Sequence, residues 1–267
     1  TNVPDDRIRF TQEENGRITL IAPAIDFRIT ALYDGREIAI DRFDSYVTRM
    51  IAIPATVDPG KVTTGVVMLP GGAIAHVPTA VKQIDGVYYA VINSLTNSVY
   101  SVIYNEKSFG DIAGHWAAGS IEELASRLVL KGNSGDSFKP EAAISRAEFT
   151  AVVVRALGLH HADAVASFTD VRSSDWFYPA VQIGVSYGLV TGYPDNTFGP
   201  EQLITRQEAM AIIHRAMAIA GIDMTLAAGE PEQVLGAFAD RGEIESWALS
   251  ATALNVKYDI VQGSGGK

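Results

Sequence analysis

Ile144-Ser145-Arg146-Ala147-Glu148 and Ile204-Thr205-Arg206-Gln207-Glu208 are two versions of one pentad, and each opens an apolar stretch with helical spacing. A hydroxyl residue three places ahead of Glu is a capping box. The hydroxyl accepts the backbone N–H of the Glu, whose carboxylate accepts the N–H of the cap residue. Each pentad also places Arg at the first helical position, where the dipole disfavours a cation by roughly 0.3–1 kcal/mol. Something must offset that placement. Free N–H groups, the dipole and a guanidinium converging on one point form a site for an anion. Arg146 and Arg206 are therefore read as surface ligand-binding residues whose loss would leave stability nearly unchanged. An ion pair with a neighbouring carboxylate is the plainer alternative.

Outward from the pentads, the chain repeats itself. Phe109-Gly110-Asp111 recurs as Phe168-Thr169-Asp170 and Phe238-Ala239-Asp240, each followed by a tryptophan: Trp116, Trp176 and Trp247. From each Trp a step of 16 reaches Gly132, Gly192 and Gly263, and a step of 30 from the first two reaches Arg146 and Arg206. Phe138-Lys139-Pro140 corresponds to Phe198-Gly199-Pro200. Fixed internal spacing of this kind marks a repeat whose units bury their apolar stripes against one another. Each unit reads as helix, Gly-rich loop, helix. The first helix is expected from about the Trp to Leu130, Leu189 or Val256. The second starts at the capping box, with Phe149, Val152, Val153, Ala156 and Leu157 facing inward in one copy and Met210, Ile213, Ala216 and Met217 in the other. Gly132 and Gly192 suit helix C-caps first and ligand approach second. Asp111, Asp170 and Asp240 suit turns or caps. The tryptophans fit either core packing or a ligand platform.

This pattern closely resembles the S-layer homology family of bacterial surface proteins, over about 160 residues from Ser108 onward. The Phe-x-Asp…Trp opening, the Gly192-Tyr193-Pro194-Asp195 loop and the Thr-Arg-x-Glu box all match in the second copy; the first copy has Gly132-Asn133-Ser134-Gly135 in its loop. The third copy stops before its Arg, which would fall near position 277. The resemblance implies a pseudo-threefold bundle with the second helices at its centre. Its grooves would bind a secondary cell wall polymer ending in pyruvylated N-acetylmannosamine. The ketal carboxylate would meet Arg146 or Arg206, Trp116, Trp176, Trp247 and Tyr193 would offer flat faces to the sugar, and Gly132, Gly192 and Asp195 would contribute loop contacts.

Composition narrows the alternatives. Of the net charge of −10, residues 1–107 carry 10 basic and 12 acidic side chains and the rest 11 and 19, so the acidic C-terminal part argues against nucleic acid. Cysteine is absent, which removes disulfide and thiolate chemistry. No apolar run approaches the ~20 residues of a membrane span. Beginning at Thr1-Asn2-Val3-Pro4 and ending at Lys267 after Gly263-Ser264-Gly265-Gly266, the chain reads as a mature or clipped fragment.

Residues 1–107 alternate strand-like runs with X-Gly turns at Asn15-Gly16, Asp34-Gly35, Pro70-Gly71-Gly72 and Asp85-Gly86. Strands are expected at 7–12, 17–21, 25–32, 37–40, 47–53, 65–69, 74–84, 87–92 and 99–104, a sandwich or small barrel. The organisation is thus multidomain: an all-β sandwich-like spacer over 1–107, then all-α repeats over 108–166, 167–236 (with a linker) and 237–267, the last incomplete.

No nucleophile accompanies His76, His115 or His214, and His160-His161 reads as a solvated linker. Pro194-Asp195-Asn196 lacks the ligand count of a calcium loop. Neither a metal nor a cofactor is expected. The leading expectation is a non-catalytic, secreted anchor that holds an exported protein on a Gram-positive cell wall. A lattice protein whose β domain self-associates and a polysaccharide-active enzyme fragment are the alternatives. A C-terminal continuation or a partner chain would complete the third copy.

Overall fold

The computed structural model describes residues 18–163 and 165–263. The expected strand at 7–12, the Asn15-Gly16 turn and both termini lie outside them.

The β part comprises β1 (Thr19–Asp26), β2 (Thr30–Tyr33), β3 (Arg36–Ala39), β4 (Arg42–Ala52), β5 (Thr64–Met68), β6 (Ile74–Val77), β7 (Thr79–Ile84), β8 (Val87–Thr96) and β9 (Val99–Tyr104). They form a four-stranded sheet in the order β1-β9-β5-β6, a three-stranded sheet β4-β8-β7 and the hairpin β2-β3. All pairings are antiparallel. Ala22, Val67, Val77, Tyr100 and Val102 of the first sheet share one core with Ile51, Ala90 and Ile92 of the second, the two-layer burial of a sandwich.

Two expected strands divide. The run 74–84 breaks at Pro78: β6 pairs with β5 and β7 with β8, so the chain changes sheets there. Proline has no N–H to continue the ladder. The run 25–32 divides between β1 and β2. Pro23 is tolerated inside β1 because β1 is an edge strand, and a shift of register between Ala22 and Ile25 spans it.

The helical part comprises α1 (Ala118–Ser126), α2 (Arg146–Ala156), α3 (Tyr178–Ser186), α4 (Arg206–Ile219), α5 (Glu230–Leu235) and α6 (Leu249–Lys257). One compact unit contains the described residues up to Ala142 with Arg155–His160; the other contains Ala143–Val154 and the described residues from His161 onward.

The first helix of each copy is shorter than its apolar pattern suggests. α1, α3 and α6 each close at a left-handed residue: Leu128 (φ 65°), Gly188 (φ 66°) and Asp259 (φ 56°). The N–H groups of Val129, Leu189 and Ile260 then reach back to the carbonyls of Leu124, Gly184 and Asn255. The residues beyond turn inward, as Val129, Leu189 and Val190 do. Gly132 and Gly192 are thus not the C-caps. Periodicity does not predict the helix α5; Pro231 and the acidic Glu230 and Glu232 in its first turn are its local signals.

The buried residues of α2 are Arg146, Ala147, Thr150, Ala151 and Val154, while Phe149, Val152, Val153 and Ala156 stay partly exposed. Close approach explains it. A Cβ at Gly184 of α3 would lie 3.1 Å from Thr150 Cγ2 and 2.9 Å from Val190 Cγ2, so this contact admits only small groups. In α4 the buried residues are Met210, Ala211 and Ile212.

Candidate functional site

The Phe-x-Asp motif fixes the loop that leads into each second helix. Asp111 accepts the backbone N–H of Phe138 at 2.8 Å and of Lys139 at 2.7 Å, and the Ser137 hydroxyl at 2.7 Å. These donors, the Phe138 N–H foremost, pull its carboxyl down to about 2. Asp170 accepts the N–H groups of Phe198 and Gly199, both at 2.8 Å. The aromatic partners pack alongside, with centroids 5.4 Å apart for Phe109–Phe138 and 5.6 Å for Phe168–Phe198.

Those rings explain the loop glycines. A Cβ on Gly132 would meet Phe109 Cε1 at 2.6 Å, and one on Gly192 would meet Phe168 Cε1 at 2.2 Å. Both glycines lie beneath a motif Phe. Asp195 accepts the hydroxyl and the N–H of Thr197, which hold its carboxyl below the usual range. It is a turn former in this geometry.

Both capping boxes form. Ser145 N–H donates to Glu148 and Glu148 N–H to Ser145 Oγ, and Thr205 and Glu208 exchange the same pair. The two arginines that follow diverge. Arg146 is buried: its Nη1 donates to Glu208 Oε1 at 3.0 Å and its Nη2 to the Thr191 carbonyl at 2.8 Å, with side-chain exposures of 8% and 14% for the ion pair. The guanidinium carbon lies 4.9 Å from the Tyr193 ring centroid and 5.0 Å from that of Phe198. Tyr193 also donates to Glu208 at 2.8 Å. Burial pushes the Glu208 carboxyl up, but the Thr205 N–H, the Tyr193 and Thr205 hydroxyls and Arg146 together hold it below its ordinary value. The first N–H groups of α2 are taken as well: Arg146 N–H donates to Gln202 O at 2.8 Å and Ala147 N–H to Pro200 O at 3.0 Å. A cation at a helix start is offset here by a carboxylate from the next copy.

Arg206 is exposed, and its Nη2 donates to the Gln262 carbonyl at 3.0 Å. That carbonyl is the counterpart of Thr191, but no carboxylate pairs with Arg206 among the described residues. It borders a cavity of about 490 Å³ with Phe238, Asp240 and the apolar side of α6.

The three tryptophans are not core. Trp116 is 91% exposed, Trp176 61% and Trp247 54%. Each stands just ahead of the first helix of its copy, with Trp116 beside His115 and Trp176 edge-on to Phe177.

A family model for the S-layer homology domain matches residues 108–150 and 167–210. These two segments belong to the S-layer homology domain family. The chain is 33% identical over 173 residues to an amylopullulanase of Thermoanaerobacterium thermosulfurigenes, covering 64% of this chain and 9% of that protein. Similarity to a surface-layer 125 kDa protein of Lysinibacillus sphaericus is 30% over 156 residues, covering 58% and 12%. A surface layer protein of Brevibacillus choshinensis is 35% identical over 102 residues, covering 37% and 9%. The chain spans about a tenth of the length of these relatives. S-layer homology domains anchor surface proteins to the cell wall by binding its polymers, which places this chain at the cell surface. No helix among the described residues is long and apolar enough to cross a membrane.

Sequence reasoning missed Glu208 as the partner of Arg146, because the pair joins two S-layer homology copies and no spacing within one copy signals it. His160 was also misread. It is half-buried, its Nε2 has no hydrogen-bond partner among the described residues, and burial lowers its pKa to about 4. The neighbouring His161 is exposed.

Proposed function

We infer that this chain is a non-catalytic anchor that holds an exported protein on the cell wall by gripping a pyruvylated secondary polymer. The observation that carries this reading is the set of three exposed indoles at equivalent positions, Trp116, Trp176 and Trp247. Flat apolar rings with a polar edge pack well on sugar faces, and here the same ring recurs exposed at the same place in each copy. Arg146 would meet the ketal carboxylate only by giving up Glu208, so its part is to position the Tyr193 loop.

The test is binding to purified wall sacculi before and after hydrofluoric acid removes the polymer. Binding lost on acid treatment, and lost in the triple variant Trp116→Ala/Trp176→Ala/Trp247→Ala with its melting temperature retained, supports the anchor. Equal binding to treated and untreated walls refutes polymer recognition. A lattice role is the second reading, favoured by the exposed Leu32, Tyr33 and Ile38 on the β2-β3 hairpin. A chain that stays monomeric in light scattering at high concentration counts against it.

A further inference from the structure

The end of α2 is closed by the β part. The last carbonyls of a helix have no partner within it. Those of Ala156 and Leu157 are taken by strand side chains: the His76 imidazole donates to Ala156, and the Tyr46 hydroxyl donates to Leu157 at 2.6 Å. Gly158 comes so close to the end of β6 that a Cβ on it would sit 2.8 Å from Pro78 Cδ and 3.1 Å from Val77 Cα. The register places Thr64, Val66, His76, Ser101 and Ile103 on the side of the four-stranded sheet turned away from the sandwich core, yet all five are buried. The end of α1 is held in the same way, with Asn105 donating to the Ser126 carbonyl at 2.7 Å and Arg127 to the Thr79 carbonyl at 3.4 Å.

The charges at this contact are one-sided. His76 comes from β6, Arg127 from the end of α1, and Arg155 and His160 from the end of α2; β4 adds the Tyr46 hydroxyl, and β5 and β9 add neutral Thr64 and Ser101. The one carboxylate paired with any of them is Glu123, which meets Arg127 at 3.1 Å on the solvent side and is 64% exposed. We propose that this contact is an acid-released clasp: protonation of His76 and His160 frees residues 155–160 from the sheet while the sandwich itself stays folded. Closed, both imidazoles are neutral. Burial first, then Arg127 and His160, lower the pKa of His76 to about 4, and burial lowers that of His160 to about 4. Freed into water, each returns toward an ordinary value of about 6.5. The closed form is therefore fully favoured above about pH 6.5, and it loses about tenfold per pH unit for each histidine as the pH falls toward 4. The core shared by the two sheets holds no group that titrates in this range. The clasp is independent of the reading of the chain as a wall anchor.

Hydrogen exchange of the full chain, read by mass spectrometry at about pH 7 and about pH 4.5 and corrected for the intrinsic rate, tests it. The opening of Leu157–Leu159 should rise at least about 100-fold between the two, while the amides of β8 and β9 change by less than about threefold. His76→Gln and His160→Gln should each remove about half of that rise on a logarithmic scale. His160→Gln keeps the test readable if the other variant folds poorly, because its Nε2 makes no hydrogen bond among the described residues. Tyr46→Phe should open the clasp several-fold at both pH values and leave the rise intact, since it removes a cap and no titrating group. Exchange of Leu157–Leu159 in step with β8 and β9, or a full rise in both histidine variants, would overturn the proposal.

Discussion

Arg146 and Glu208 form a nearly buried ion pair 3.0 Å long that joins the start of one second helix to the start of the next. Each residue holds a place that its own helix does not explain. The Arg sits where the dipole repels it, and the Glu, already engaged in its capping box, is buried against Tyr193. Together they form the latch between the first two copies.

Removing one partner of a buried pair leaves the other uncompensated. Arg146→Ala is therefore expected to cost roughly 3–5 kcal/mol, while Arg206→Ala, exposed and without a carboxylate, should stay within about 0.5 kcal/mol. Urea unfolding followed by tryptophan fluorescence measures both. Equal effects for the two variants would mean that the pair is not a latch.

Gly192 is the second sensitive point. A methyl group there must displace the Phe168 ring, since its Cβ would sit 2.2 Å from Cε1. Overpacking of this kind costs roughly 1–3 kcal/mol, and Gly192→Ala should show it as a lower urea midpoint. Gly188→Ala should also destabilise, by about 1 kcal/mol, for a different reason: its φ of 66° strains any side chain although open space surrounds it. Trimming the ring with Phe168→Leu should restore part of the first loss and none of the second.

Acid should loosen the first unit through His76 and His160. His76 is buried, with Nδ1 2.7 Å from Thr64 Oγ1, and burial first, then Arg127 and His160, lower its pKa to about 4. His160 is lowered to about 4 by burial. Both folded values lie below the unfolded one, so between pH 6.5 and 4 the unfolded chain binds more protons. The stabilisation is complete above about pH 6.5 and falls as pH drops, by roughly 1.4 kcal/mol per pH unit for each histidine. His76→Gln should flatten the pH dependence of the urea midpoint by about one histidine's share. An unchanged slope would exclude His76 as a source.

The tryptophans give a prediction opposite in kind to these. Because their rings are exposed, Trp116→Ala and Trp176→Ala should each leave unfolding within about 0.5 kcal/mol and weaken attachment to sacculi. A fall in stability instead would show that the rings contribute to packing.

Much of this protein is written in spacing. The capping boxes at Ser145 and Thr205, the three Phe-x-Asp…Trp openings and the turns of the β domain follow from local chemistry, because the cap hydroxyl, the turn glycine and the apolar period act within a few residues of themselves. Tertiary structure decided what lies between such stretches. Pro78 became a crossing between sheets because β5 and β8 offered different partners on its two sides. Leu128, an unfavourable residue for a left-handed turn, ends α1 because Val129 must turn into the core. Arg146 turned inward because a carboxylate 62 positions away was brought to its prongs, and the strength of a charge pair depends on distance and burial, which only the packing of one copy on the next supplies.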